Sequence, residues 1–569
     1  MATLYSSVVA ALMILPHLLV SSAVEGIGHQ AVTAQGLGPA SVWHVTLRET
    51  DGVELDFRMT FAASGDKWEA WSRQGAVREM VGGGTALLGR LFGKMPAKEA
   101  LVYIGEGTTK SDGDTEHLTG TLDSPFLGRR KFVGTIADGR LRADLTHLPS
   151  GGKAGTMEAV RDGATTPLRD YVALAGELEA AIRANVYDPG LLTRKEFVRF
   201  FADLKTGFAS ARDDLDVVVA FQALKHALGI SHFDLIRAPR LARASLEDVL
   251  EGDPSVDPAT FVRLTFPVDA VAHLRITKWD RVGPRVDAAF ERIAAMKAQV
   301  LILDIRGNPG GDASSVVPFT HLVRERTIIG AFLARPWFDR PAADRPPPEK
   351  LPVLDSDASP AQLIRDLQKH GGVTGVAVPR DPHFAGPVYL LIDQESSSAS
   401  EPLAYALKVA KRATVIGERT AGAMLTALPQ GLRDGWVATI PRADFVTADG
   451  KRLEGVGVEP DVNTDPTDVF IAVADRLAAT LPFSAAALRA GSYETLRRPE
   501  LAERHYRQAL TLIDRQSPPP SAASRAWVHK RLANILKVKG DSAGALREYE
   551  AVLKLVPDDK EALAAVRGG

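Results

Sequence analysis

From about Val42 to Val160 apolar and polar positions alternate with period two. SVWHVTLRE, VELDFRMTFAA, KWEAWSR, EALVYIGEG, HLTGTLD and RKFVGTIADGRLRADLTH read as strands bounded by Gly, Asp and Ser. Asp138-Gly139 supplies a hairpin turn. The pattern predicts an antiparallel β domain, a sandwich or a small barrel, over residues 24–162. The period then turns helical. LRDYVALAGELEAAIRANV, TRKEFVRFFADLKTGFASA and DLDVVVAFQALKHAL are amphipathic and predict a helical cap over 167–240, with Thr193 and Glu196 spaced as a capping box. From about Val262 to Ala474 short apolar runs (AVAHLRI, QVLILDIRG, PVYLLID, ATVIG, GWVATIP) alternate with helical stretches (VDAAFERIAAMKA, ASEPLAYALKVAK). This predicts an α/β core with a largely buried sheet over 241–478. Within it RPAADRPPPEKLP reads as a surface insertion or a flexible loop. The whole is a multidomain α+β chain.

The tail, 485–569, is helical again. LAERHYRQALTLID and AGALREYEAVLKLVPDD share small and aromatic positions: Ala502, Tyr506 and Ala509 in one, Ala545, Tyr549 and Val552 in the other. With Leu532, Ala533, Gly540 and Pro557 the second unit resembles a tetratricopeptide repeat. Either two such units or two unrelated amphipathic hairpins are present, docked on the core or on each other, and a protein partner for them is expected.

At 45% hydrophobic and 24% charged, with a formal charge of −2, the chain has the composition of a globular protein and no basic character that would suit nucleic acid. It contains no cysteine, which excludes disulfides, thiolate catalysis and cysteine zinc sites. The opening MATLYSSVVAALMILPHLLVSSAVEG has a short apolar run and a small-x-small site at Ser21–Ala23, but no Lys or Arg before it. Residues 1–23 are expected to be a signal peptide, with an uncleaved anchor as the alternative. The mature chain is then periplasmic or extracellular, with no integral membrane segment. GGGTALLGRLFGK is not a phosphate loop, because Arg90 and Leu91 stand where Lys and Ser/Thr are required.

IDQESSSASEPLAYAL places a serine cluster between a strand and a helix. A nucleophile belongs in that turn, where the helix N-terminus offers N–H groups to an oxyanion. Ser400 reads as the helix N-cap and Ser398 as the nucleophile; a serine-rich capped turn is the plainer alternative. LILDIRGNPGGDASS brings Gly307, Gly310 and Gly311 after another strand, so backbone N–H groups can approach a ligand closely.

Together LILDIRGNPGG, SSASEPLAYAL, ATVIGERTAG and LEGVGVEPDV resemble, in this order, the core motifs of the tail-specific (C-terminal-processing) serine peptidases, whose relatives include the tricorn-protease core and the interphotoreceptor retinoid-binding modules. The resemblance covers roughly residues 170–470 and implies a crotonase-like ββα core. One branch activates its serine with a lysine in a T-x-G-K motif; in RTAGAM that position is Ala423. Lys408 and Lys411 do not replace it, since a helix puts them about 15 Å or more away. The tricorn-like branch uses a histidine and a glutamate. ALGISHFDLI matches its Ser-His motif at Ser231 and His232, and LEGVGVEPD supplies Glu454. The resemblance implies His232 as base, Glu454 behind it and Ser398 as nucleophile, with oxyanion donors from Gly310 and Ala399, Gly311 being the neighbouring choice. His226 and His273 are the rivals for His232, Ser231 could simply cap a turn, and Glu454 could be a solvated loop carboxylate. About 35 residues separate Phe233 from Val268, too few for the PDZ module many tail-specific peptidases carry. The expected protein is a metal-independent, cofactor-free peptidase acting on peptides or proteins. Its alternatives are a binding scaffold on the same fold and an esterase; substrate and oligomeric state stay open.

Overall fold

The computed structural model describes residues 37, 40–72, 103–124, 128–148, 150–162, 164, 166–251, 256–354 and 358–568. The expected signal peptide and the glycine-rich stretch at 82–94 lie outside the described residues.

The alternating zone closes on itself as an eight-stranded antiparallel barrel: β1 (Ser41–Glu49), β2 (Glu54–Ser64), β3 (Lys67–Ser72), β4 (Ile104–Asp112), β5 (Thr115–Ser124), β6 (Gly128–Ala137), β7 (Arg140–His147) and β8 (Lys153–Arg161), with β1 paired to β8. The Asp138-Gly139 turn forms as expected; both residues have positive φ, 51° and 69°, the geometry a two-residue hairpin needs. Trp43, Phe57, Phe61, Trp68 and Phe132 fill the interior. Of the open choice between sandwich and barrel, closure wins because β8 pairs with β1.

The cap is three helices, α1 (Tyr171–Asn185), α2 (Lys195–Ser210) and α3 (Asp214–Lys225). The Thr193–Glu196 capping box does not form. α2 begins after Arg194 with no side-chain cap, and Thr193 Oγ1 instead donates to Gly190 O in the preceding turn. The chain continues through β9 (Asp234–Arg237) and two short helices, α4 (Pro239–Arg243) and α5 (Leu246–Glu251).

The core has two sheets. The first runs β10 (Val262–Val268), β11 (Val271–Ile276), β12 (Val300–Asp304), β16 (Val388–Ile392), β17 (Thr414–Gly417), β20 (Val462–Asn463), and is parallel from β11 onward. Every residue of β12 and β16 is buried, as expected of parallel strands covered on both faces. α6 (Gly283–Ala295) follows β11. The second sheet runs β14 (Val353–Leu354), β15 (Gly372–Ala377), β13 (Thr327–Ala334), β19 (Trp436–Thr447), β18 (Thr426–Gly431), with β9 also paired to β19; α7 (Pro360–His370) precedes β15. The proline-rich insertion is folded on itself: Trp337 Nε1 donates to Pro346 O, and the Arg345 guanidinium lies over the Trp337 ring.

After β16 comes α8 (Ser400–Val409). The tail is α9 (Val469–Leu477), α10 (Pro482–Thr495), α11 (Pro499–Thr511), α12 (Ala522–Val538), α13 (Ser542–Leu555) and α14 (Lys560–Gly568). α9 to α12 share one hydrophobic cluster with Val271, Ile302, Leu391 and Ile416 of the first sheet, so the tail docks on the core. The positions singled out in sequence, Ala502, Tyr506, Ala509, Ala545, Tyr549 and Val552, are all buried. Among the described residues no helix is long and apolar enough to cross a membrane.

Candidate active site

Two loops leave the carboxyl ends of adjacent parallel strands, residues 305–312 after β12 and 393–399 after β16, and interlock. Gly307 N and Ser396 N both donate to Asp393 Oδ1, Ser396 Oγ donates to Ile305 O, and Ser397 N donates to Asn308 O. Asn308 is fully buried; its Nδ2 donates to Ile276 O. At the end of the second loop Ser398 has φ +53°, rare for a residue with a side chain. Such strain costs about 1–3 kcal/mol and persists only where neighbours hold it. Here Ser398 N donates to Ala423 O at 3.0 Å, and Ser398 O accepts from Glu401 N at 2.9 Å.

Gly310 explains why glycine follows the first loop's proline. Its φ is +97°, and a Cβ there would stand 2.5 Å from Ser398 Cβ and 3.0 Å from Ala399 N. Gly311 is tighter still, 1.7 Å from Trp279 O. The oxyanion expectation needs correction at Gly310, whose N–H is already donated to Asn308 Oδ1 at 2.9 Å. Gly311 N and Ala399 N have no hydrogen-bond partner among the described residues. Ser400 is not the N-cap either. The helix begins with it, and its hydroxyl accepts from Trp279 Nε1 at 2.8 Å and donates to Asn308 O, a buried position that a capping side chain could not take.

His232 sits in the turn between α3 and β9 with φ +51°. Ser231 Oγ lies 2.8 Å from His232 Nδ1 and donates to Glu454 Oε2 at 2.8 Å; Ser231 N donates to Glu454 Oε1 at 2.6 Å. Glu454 therefore reaches the imidazole through Ser231 rather than directly. Met424 N gives the carboxylate a third donor at 2.7 Å. A carboxylate only accepts, so the single hydroxyl proton of Ser231 goes to Glu454 and its oxygen accepts from Nδ1–H. The neutral ring then carries its lone pair on Nε2. One peptide links the two halves of the site, since Ala423 O holds Ser398 N while Met424 N holds Glu454. No hydrogen bond joins His232 to Ser398 among the described residues; in a resting site such bonds are often open. Burial pushes the His232 imidazole down to about 4. Burial also raises Glu454, against the opposing pull of the Met424 and Ser231 donors. His226 is exposed, and His273 pairs with Asp304 Oδ2 at 3.2 Å under Phe470; among the described residues neither is hydrogen-bonded to Ser398, Ser231 or Glu454.

Three participants were not singled out in sequence. Asn308 locks the first loop. Glu401, fully buried, accepts from Ala423 N (2.8 Å), Gly422 N (3.1 Å), Thr420 Oγ1 (3.0 Å) and Ser398 N (3.3 Å). Burial raises its carboxyl to about 7 despite those donors. Arg306 closes on Asp304, which its hydrogen bonds and those of His273 hold well below the carboxylate range although burial works the other way. The signal for Asn308 and Arg306 was their place inside RGNPGG, where polar side chains must satisfy an irregular backbone.

Residues 270–464 match the sequence profile of peptidase family S41. The match covers the core alone, about a third of the chain. The chain is 32% identical over 178 residues to the chloroplastic C-terminal processing peptidase of Tetradesmus obliquus, covering 31% of this chain and 31% of that one. To the carboxy-terminal processing protease CtpA of Bacillus subtilis strain 168 it is 22% identical over 244 residues, 41% and 45% of the two chains. Among solved structures it is similar to the tricorn protease, with a TM-score of 0.31 at 13% identity over 76% of this chain and 57% of that one. The chain spans about a third to a half of the length of the curated relatives it matches. The profile takes in Ser398 and Glu454 but neither His232 nor the barrel. Ala423 is buried, and Lys408 Nζ donates to Glu459 O and pairs with Asp461.

The relay through Ser231 makes a prediction. Ser231→Ala removes the oxygen that accepts from Nδ1–H, so kcat for peptide hydrolysis is expected to fall about 10- to 100-fold with KM nearly unchanged, the scale of losing an orienting partner.

Proposed function

We propose that this chain is an exported serine peptidase that hydrolyses peptide bonds through an acyl-enzyme on Ser398. The observation that carries the reading is the Glu454–Ser231–His232 chain of hydrogen bonds, which leaves Nε2 of a neutral imidazole as the free base. Ser398 Oγ attacks the carbonyl carbon as His232 Nε2 takes its proton. The oxyanion is received by Ala399 N–H and Gly311 N–H at the positive end of α8. As the tetrahedral species collapses, the amine leaves with the proton from Nε2. Water then repeats the sequence, giving a carboxylic acid and free Ser398. Every step is acid–base or nucleophilic and draws on this chain's own groups, so no metal is required. The family match, and the processing peptidases named among the relatives, support a peptide or protein as substrate. The buried repeat-like positions of α11 and α13 support tetratricopeptide-like hairpins, whose outer faces are left to a protein partner.

The test is hydrolysis of an unfolded protein substrate by the purified chain. Cleavage that resists a metal chelator and stops with a serine-directed phosphonate is expected. No cleavage of any peptide or ester, together with retained binding of peptides, would turn the reading to a scaffold on a peptidase fold.

The acid limb of kcat/KM is a second check. With His232 held down to about 4, the base stays neutral well below the usual histidine value, so the limb is expected nearer pH 4 than 6.5. The same shift affects stability. Between about 6.5 and 4 the unfolded chain binds a proton that the folded one refuses, so stability falls as pH drops through that window. Glu401 acts separately: a step near 7 that vanishes in Glu401→Gln belongs to its raised carboxyl.

A further inference from the structure

The segment that carries Ser231 and His232 is gripped at both ends by the barrel, an element the S41 profile does not include. Among the described residues β3 pairs with β2 over Met59–Ser64; further back on β2 the N–H groups of Asp56 and Arg58 are taken by carboxylates at the start of α3. Asp214 Oδ2 accepts from Asp56 N at 2.8 Å and Asp213 Oδ2 from Arg58 N at 3.1 Å. The far end of the segment returns to the same spot. Arg237, the last residue of β9, donates through Nη1 to Glu54 O and Glu54 Oε1 and stands 3.2 Å from Asp56 Oδ2. Arg169 and Tyr171 complete the seam on Asp214. Beneath these polar contacts Leu215 and Val219 of α3 and Ile236 of β9 belong to the barrel's own hydrophobic cluster.

Between the two anchors the segment is tied across its base. Gln222 Nε2 donates to Asp234 Oδ1 at 2.8 Å, and Lys225 Nζ lies 3.3 Å from Asp234 Oδ2. What remains is the turn 226–233, held at its neck, with His232 in left-handed backbone near its end. A base must be held in place to a fraction of an ångström, and the helix–turn–strand holding it has its footing in the barrel.

We propose that the N-terminal barrel is a positioning module for the catalytic histidine, with Asp213, Asp214 and Arg237 as the positioning residues. This rests on the reading of His232 as the base. The experiment is Arg237→Gln in the full chain, read by peptide hydrolysis and by hydrogen exchange. kcat is expected to fall about 10- to 100-fold with KM within about twofold, the cost of a base displaced rather than lost. Amide exchange in 226–234 is expected to quicken about tenfold or more while 398–409 keeps its protection, since opening is local. Arg237→Lys, which keeps one charged donor, restores part of both. Should Arg237→Gln fail to fold, Glu54→Gln, which weakens one contact of the same arginine, is read in the same two ways. A folded variant with wild-type exchange in 226–234 and wild-type kcat overturns the proposal. If the parent chain shows no Ser398-dependent hydrolysis, the peptidase reading falls, and the exchange data alone decide the coupling.

Discussion

Ser398→Ala, His232→Ala and the double variant are expected to lose the same activity, a drop of about four to six orders of magnitude in kcat for each. The equality is the informative part. A hydroxyl without a base and a base without a hydroxyl are equally idle, so the second deletion removes nothing further. The residual rate should come from substrate binding and the N–H groups of Gly311 and Ala399. Both variants should fold, because Ser398 Oγ makes no hydrogen bond among the described residues and the His232 ring has only Ser231 as its hydrogen-bond partner. The measurement is single-turnover hydrolysis with a sensitive fluorogenic peptide. Losses that add between the two single variants would mean that the two side chains act independently.

Gly310→Ala is the second large effect. The new methyl would stand 2.5 Å from Ser398 Cβ and 2.9 Å from Ser397 O, both on the backbone-locked nucleophile turn, so no flexible side chain can yield. Left-handed backbone at φ +97° adds strain of its own. Together these are expected to cost about 2–5 kcal/mol of stability, read from the denaturant midpoint at constant m-value. Activity should fall about a thousandfold even under conditions where the variant is fully folded, because the methyl displaces the Ser398 side chain and the neighbouring oxyanion donor. Gly307→Ala is the control: its added Cβ would meet only the end of the flexible Glu395 side chain, at 3.4 Å, so it carries the strain of its positive φ without the clash.

Much of this was legible in the chain. Period-two alternation marked the barrel strands because each buries one face, and unbroken Val-Ile runs marked β12 and β16 because both faces are covered. The strand–turn–helix rhythm placed Ser398 in the turn before α8, where the chain does put it, with φ +53°. The failures share a cause: hydrogen-bond partners that a local pattern does not announce. Ser400 looks like a cap until Trp279, more than a hundred residues earlier, takes its hydroxyl. Gly310 looks like an oxyanion donor until Asn308, two residues away but folded back, takes its N–H. Glu401 reads as an acidic residue in a helix's first turn, ordinary near the positive end of the dipole; that it anchors the 420–423 loop appears only when that loop arrives. Thr193 and Glu196 show the converse, a local signature overruled when the chain enters α2 through a tight turn.

The most direct measurement is the site and dependence of covalent labelling. A fluorophosphonate incubated with the full chain is expected to add one adduct per molecule, mapped by peptide mass to Ser398, with a labelling rate that collapses in His232→Ala. An adduct on any other residue, or full-rate labelling of Ser398 without the imidazole, would contradict the account.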